Sequence, residues 1–162
     1  MRVRLRLPYA MQLGSGTWDL LPGVTYSGHQ DKWFWGAQYE AEIRMEDENN
    51  QGYRLGDKHR LSAWSGYQFT PEFAANIHMD VETQGKIHGA DENITAPVQT
   101  ANPDNYGGDI VEIGTGFTYQ PTHPAFKGGI LGVDFTLPAY QNLNGVQLER
   151  DWSVNAGLRY KF

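Results

Sequence analysis

The feature that most constrains this chain is a two-residue alternation of apolar and polar side chains that recurs along most of its length. A period of two belongs to a pleated strand with one apolar and one polar face, whereas a helix repeats near 3.6. At the C-terminal end Trp152, Val154, Ala156, Leu158, Tyr160 and Phe162 oppose Ser153, Asn155, Gly157, Arg159 and Lys161. Trp33, Trp35, Ala37, Tyr39, Ala41, Ile43 and Met45 oppose Gly36, Gln38, Glu40, Glu42, Arg44 and Glu46, with Phe34 out of step. The same split covers Phe73 to Val81, Val111 to Tyr119, Leu131 to Ala139 and Val3 to Tyr9. Two further stretches are less regular: Leu21 intrudes on the polar side of one, and Trp64 on that of the other. The pattern predicts eight strands, near 2–10, 17–28, 33–46, 58–70, 73–86, 108–120, 129–140 and 151–162.

The predicted connections alternate in length. Residues 29–32, 70–72 and 121–128 make short ones; 47–57, 87–107 and 141–150 make long ones. The stretch from Asp91 to Asp109, rich in Asn, Asp, Pro and Thr, reads as one surface loop. Short turns at one end and long loops at the other are the habit of outer-membrane barrels. Eight strands would place both termini at the short-turn end. The 162 residues fit a single domain, 1–162, and no apolar run approaches the ~18 residues of a spanning helix, which leaves a barrel open. The basic N-terminus alternates charge with apolar residues and contains no continuous apolar core of the signal-peptide kind.

Two barrels fit this alternation. A soluble, lipocalin-like barrel turns its apolar side chains inward, and a membrane barrel turns them outward. The polar face favours the second. Its glycines, Gly36, Gly66, Gly114, Gly116, Gly132 and Gly157, would make room for long charged neighbours inside a narrow barrel but would only weaken strands on a soluble exterior. Aromatics gather near strand ends (Trp18, Tyr26, Trp33, Trp35, Phe69, Phe73, Tyr119, Trp152, Tyr160 and Phe162), as in the girdles at lipid–water interfaces. The expected fold is therefore an all-β, antiparallel, up-and-down transmembrane barrel of about eight strands in the bacterial outer membrane.

The last strand carries a second signal. Asn155, Gly157, Tyr160 and Phe162 fit the terminal pattern read by the bacterial barrel-assembly machinery: a polar residue, then Gly, then aromatics alternating to the end. Physically, this is a two-faced edge strand that another sheet edge can capture. The segments RLPYAMQLGSGTWDLLPGVTY from Arg6, YRLGD from Tyr53 and LPAYQNLNGVQLERDW from Leu137 give the chain a family likeness. It resembles the C-terminal part of the proteobacterial outer-membrane "transporter" proteins of the phenol-degradation meta-pathway (MetA-type) family, over essentially its whole length. The resemblance implies an outer-membrane barrel with a role in uptake of small, often aromatic, compounds, in proteins whose further strands precede the Arg6 segment.

The candidate functional residues are the inward charges: cations Arg2, Arg4, Arg6, Arg44, Arg60, Arg159 and Lys161, facing anions Asp19, Glu40, Glu42, Glu46, Asp80, Glu82, Glu112 and Asp134, with His78 beside Asp80. If the barrel closes, Arg2, Arg4 and Arg6 adjoin Arg159 and Lys161. Such a set can plug a lumen with ion pairs or line a conduit that sorts solutes by charge. The alternatives to passive passage of small solutes are thus a plugged structural or surface-interaction barrel and a soluble ligand-binding barrel. A rim enzyme would draw on His59 with Asp57 or His88 with Asp91, but no serine is placed beside them, so no enzymatic activity is expected. The loop acids Asp47, Glu48, Asp91, Glu92, Asp104 and Asp109 lack calcium-loop spacing. No metal or cofactor is expected. A net charge of -6 argues against nucleic acid, and the expected partners are outer-membrane lipid, lipopolysaccharide, the assembly machinery and a small solute.

Overall fold

The computed structural model describes residues 6–95, 97–123 and 128–160. Ten strands follow in order: β1 (Asp19–Leu20), β2 (Gly23–Gln30), β3 (Trp33–Arg44), β4 (Tyr53–Arg54), β5 (Lys58–Gln68), β6 (Phe73–Gln84), β7 (His88–Gly89), β8 (Gly108–Tyr119), β9 (Gly129–Leu143) and β10 (Ser153–Tyr160). The fold is all-β and antiparallel. β1 and β2 lie end to end along β3, and β5, β6, β8, β9 and β10 follow in spatial order, so the main sheet is seven strands wide. β4 and β7 form a separate two-stranded ladder.

Seven of the eight expected strands are present, one of them split by Leu21 and Pro22 into β1 and β2. The short and long connections alternate as expected. Asp31 adopts a left-handed φ of 53° in the two-residue turn between β2 and β3, a conformation such hairpins require. β9 holds Pro138 in a central strand. The register slips between Val111 and Glu112, so that Tyr140 pairs with Val111 and Pro138 with Glu112, leaving Ala139 as the extra residue of a bulge.

The first expected strand is corrected. Residues 1–5 lie outside the described residues, but 6–8 are irregular and Tyr9–Met11 form a 3-10 turn behind Pro8. Tyr9 is drawn out of the sheet by burial among the long loops. Its ring meets Tyr53 edge-on at 4.8 Å and Tyr106 at 5.9 Å, with Ile87 beside them, and its hydroxyl accepts the Asp91 amide at 3.0 Å. Arg6 follows, its Nε 2.8 Å from Asp91 Oδ2. It therefore sits at the long-loop end, while β10 runs to the short-turn end at Tyr160. The described chain thus starts and finishes at opposite ends of the sheet, Arg6 is not a lumen-strand residue, and it does not adjoin Arg159. The 91–109 segment is also more than a surface loop: Asp91 and Asn105 are buried within it, and 3-10 turns form at Gln99–Ala101 and Pro103–Asn105.

The small buried cluster of Tyr9, Tyr53 and Ile87, with Leu55, Ile94 and Tyr106 against it, lies in these loops and not on the sheet. On the sheet, burial runs opposite to polarity. Along β9, Leu131, Val133, Phe135 and Leu137 are exposed at 45, 40, 38 and 38%, while Gly132, Asp134, Thr136 and Pro138 between them are half-buried. On β6, Ile77 is 68% exposed and Glu82 only 7%. The strand register arranges the apolar face in transverse rows. One holds Trp33, Tyr67, Ala75, Phe117 and Val133; the next holds Trp35, Ser65, Ile77, Thr115 and Phe135.

Candidate functional site

The polar face is built in the same way, row by row. Phe34, Gly66, Asn76, Gly116 and Asp134 stand side by side; next come Gly36, Trp64, His78, Gly114 and Thr136; then Gln38, Ser62, Asp80 and Glu112. Large residues alternate with glycine across the strands. A Cβ on Gly66 would collide with the Phe34 ring, one on Gly36 with the Trp64 indole, and one on Gly114 with the His78 imidazole. Phe34 and Trp64, which break the period-two pattern, are therefore the counterparts of those glycines. Bulky side chains lie flat against the sheet where a neighbour has no side chain, which keeps this face thin.

Of the expected charges, Glu40, Glu42 and Arg44 on β3, Arg60 on β5, His78, Asp80 and Glu82 on β6, Glu112 on β8, Asp134 on β9 and Arg159 on β10 share this face. Arg2, Arg4 and Lys161 lie outside the described residues, as does Phe162. The structure divides the charges into three groups. In the middle of the wall, His78 Nδ1 is 3.6 Å from Asp134 Oδ2 and its Nε2 is 4.0 Å from Asp80 Oδ2. Ser62 donates to Asp80, and Thr136 donates to Asp134 at 3.0 Å. Among the described residues these two carboxylates pair with His78 and with no lysine or arginine. They remain partly exposed, at 30 and 36% of the side chain.

Nearer the long loops, the buried Glu82 carboxylate receives Arg60 at 2.6 Å, Lys58 at 3.1 Å and Arg150 at 3.0 Å, and Arg150 also reaches Glu112 at 2.9 Å. The third group is Arg44, bound to Asp19 at 2.6 Å and to Glu42 at 3.0 Å, with Ser15 and Thr17 donating to Asp19. Sequence reasoning missed Lys58, Ser62 and Arg150. The first two share strand parity with Arg60, so the alternation could have found them. Arg150 lies in a connection, where parity carries no information.

The histidines considered for a rim enzyme are placed apart from one another. His59 lies on the apolar face, where its Nδ1 and the Tyr39 hydroxyl share a 2.8 Å hydrogen bond and the rings stack. Asp57 accepts the Arg44 backbone amide at 2.9 Å. His88 is exposed on β7, opposite Arg54. Asp91 is fully covered. Burial pushes its carboxyl up, but two bonds from Asn93 and the Arg6 guanidinium outweigh that and hold it below the ordinary carboxylate range.

Aromatics on the apolar face form a continuous chain at the short-turn end. Trp33 meets Tyr67 at 4.9 Å, Tyr67 meets Phe69 at 5.2 Å, Phe69 meets Phe73 at 5.9 Å and Phe73 meets Phe117 at 6.1 Å. At the other end Trp18, Tyr140 and Trp152 are exposed. No family model, curated protein or solved structure matches this chain.

Proposed function

We propose that this chain forms the wall of a transmembrane β-barrel in the bacterial outer membrane, and that its polar face lines a passive route for small solutes. The observation that carries the reading is the inverted burial along β9, where Leu131, Val133, Phe135 and Leu137 are exposed and their polar neighbours half-buried. A contiguous exposed apolar face of this kind requires a partner or hydrocarbon against it. Five apolar rows run from the Phe73–Tyr119–Leu131 row to the Tyr39–Leu61–Val111–Tyr140 row. Four two-residue steps cover ~27 Å along a strand, or ~19–22 Å of height at the ~35–45° tilt of membrane barrels, close to their ~25 Å apolar band. The ring chain at one margin and the exposed Trp18, Tyr140 and Trp152 at the other match interfacial girdles.

A conduit is favoured over a sealed core by Asp80 and Asp134. Buried ions need counter-ions, whereas these two carboxylates are partly exposed and, among the described residues, have no lysine or arginine within 4 Å, which suits a hydrated face. The second reading, a plugged wall, is favoured by the Arg60–Glu82–Arg150–Glu112 network. β2 and β10, the two edges of the sheet, run in the same direction, so closing it wholly antiparallel takes an odd number of additional strands. β10, with Asn155, Gly157 and Tyr160, is the edge offered to the assembly machinery. The likeness to the MetA-type family points to the same membrane and to small, often aromatic, solutes.

The test is reconstitution into vesicles and planar bilayers. Stable conductance steps are the expected result. Folding in vesicles without conductance would establish the plug, and a monodisperse folded protein in water without detergent would overturn the membrane reading.

A further inference from the structure

We infer that Arg150 is the selectivity-setting residue at the long-loop mouth of the polar face, carried there by a strap made of residues 144–152. This inference rests on the conduit reading above. The connection between β9 and β10 does not extend away from the sheet. It is clasped at its base by Gln141, whose side chain accepts the Arg150 amide at 2.7 Å and donates to the Arg150 carbonyl at 2.9 Å. Further along, Val146 N–H bonds to Asn105 Oδ1 at 2.9 Å, and Gln147 Nε2 to the Gly107 carbonyl at 2.7 Å. These bonds tie the strap to the neighbouring long loop.

From that anchorage the Arg150 guanidinium reaches over β8 to Glu112 and over β6 to Glu82. β6 is two strands from β9, so the side chain and strap together cross ~10 Å of the wall. A cavity of about 120 Å³ remains beneath, bounded by Glu82, Ile110, Leu143, Gln147 and Arg150. Arg150 thus adds a cation to a mouth where Lys58 and Arg60 already face Glu82 and Glu112, above a mid-wall region that carries Asp80 and Asp134. A fixed charge in a constriction selects by sign, and its reach follows the Debye length, ~30 Å at 0.01 M salt and ~3 Å at 1 M.

Two arms test this in the full chain. In planar bilayers with a potassium chloride gradient at low salt, Arg150→Ala shifts the permeability ratio toward cations by ~2-fold or more, and the shift vanishes at 1 M. An unchanged ratio at low salt overturns the inference. The second arm needs no current. Trypsin cleaves after Arg150, and Glu112→Gln, which removes one anchor and keeps the arginine, accelerates that cut in vesicle-folded protein. Glu82→Gln with Glu112→Gln accelerates it ~10-fold or more. Cleavage as slow as in the parent chain overturns the strap. Absence of current in every variant overturns the conduit reading and the selectivity role with it, while the cleavage arm still decides whether the strap is held.

Discussion

Replacing Ile77 by arginine separates hydrocarbon from water as the medium on the apolar face. Ile77 lies in the central row of that face, between Ser65 and Thr115, two rows from each margin, and is 68% exposed. Nothing in the protein needs to move to admit a longer side chain there. In water an exposed surface position tolerates such a change within ~0.5 kcal/mol. At the midplane of a bilayer, an arginine on the lipid face of a barrel costs ~2–4 kcal/mol. That is roughly a 30- to 900-fold fall in the folding equilibrium. The matching control is Gln38→Arg, on the polar face between Thr25 and Ser62 and two strands from Asp80, where the expected cost is smaller if that face is wet. The assay is urea-dependent folding into lipid vesicles, followed by the fluorescence of the five tryptophans. If Ile77→Arg falls within ~0.5 kcal/mol of the parent chain, or costs no more than Gln38→Arg, the sidedness argument is refuted.

Gly36→Ala should destabilise by ~1–3 kcal/mol through overpacking against Trp64, whereas Gly132→Ala, with nothing near its added methyl, should stay within ~0.5 kcal/mol; urea midpoints check both. Equal costs would mean that the large-against-glycine rows do not set the wall. For pH, Asp91 has a carboxyl held below its ordinary value of 3.8, so the stability it contributes is fully present above 3.8 and is lost as pH falls below that through its folded value. Exchange protection of the Asp91 amide, which is bonded to Tyr9, should accordingly hold to about pH 4 and fall beneath it, and Asp91→Asn should remove this pH dependence. Deleting Phe162 should slow assembly in cells more than it weakens the folded barrel in vesicles. Equal insertion with and without it would remove the terminal-signal reading.

The strands were legible because one physical cause repeats seven times. Each strand has one apolar and one polar face, and a period of two records that without any knowledge of partners. Even the exceptions follow the same cause, since Phe34 and Trp64 are admitted to the polar face by Gly66 and Gly36. Where the cause changes, the alternation misleads. The run from Arg2 to Tyr9 alternates as well as any strand, yet residues 6–8 are irregular, Pro8 leads into a 3-10 turn and Tyr9 finds burial among loops. Asp91 and Asn105 look like solvated loop residues because composition cannot show that a loop folds on itself. Arg150 was invisible for a related reason: its role comes from where the 144–152 connection folds, and no periodicity fixes that.

The position of the buried cluster also bears on the medium. A folded domain ordinarily joins two layers, so that each buries its apolar face against the other. Here the main sheet is one layer, and the cluster of buried apolar side chains among the described residues, Tyr9, Tyr53 and Ile87, packs at its rim, while Ala41 and Ile110 are buried on the sheet itself. Ladder hydrogen bonds alone contribute little net stability, because the unfolded chain bonds equally well to water. On the proposed membrane reading, the free energy that holds seven strands together comes from transferring the face of Trp35, Ile77, Ile113, Phe135 and Leu137 out of water. No other part of the described chain covers that face. In water it is an aggregation surface, whereas in a bilayer it is the driving force for folding, and the loop cluster then orders the mouth above it.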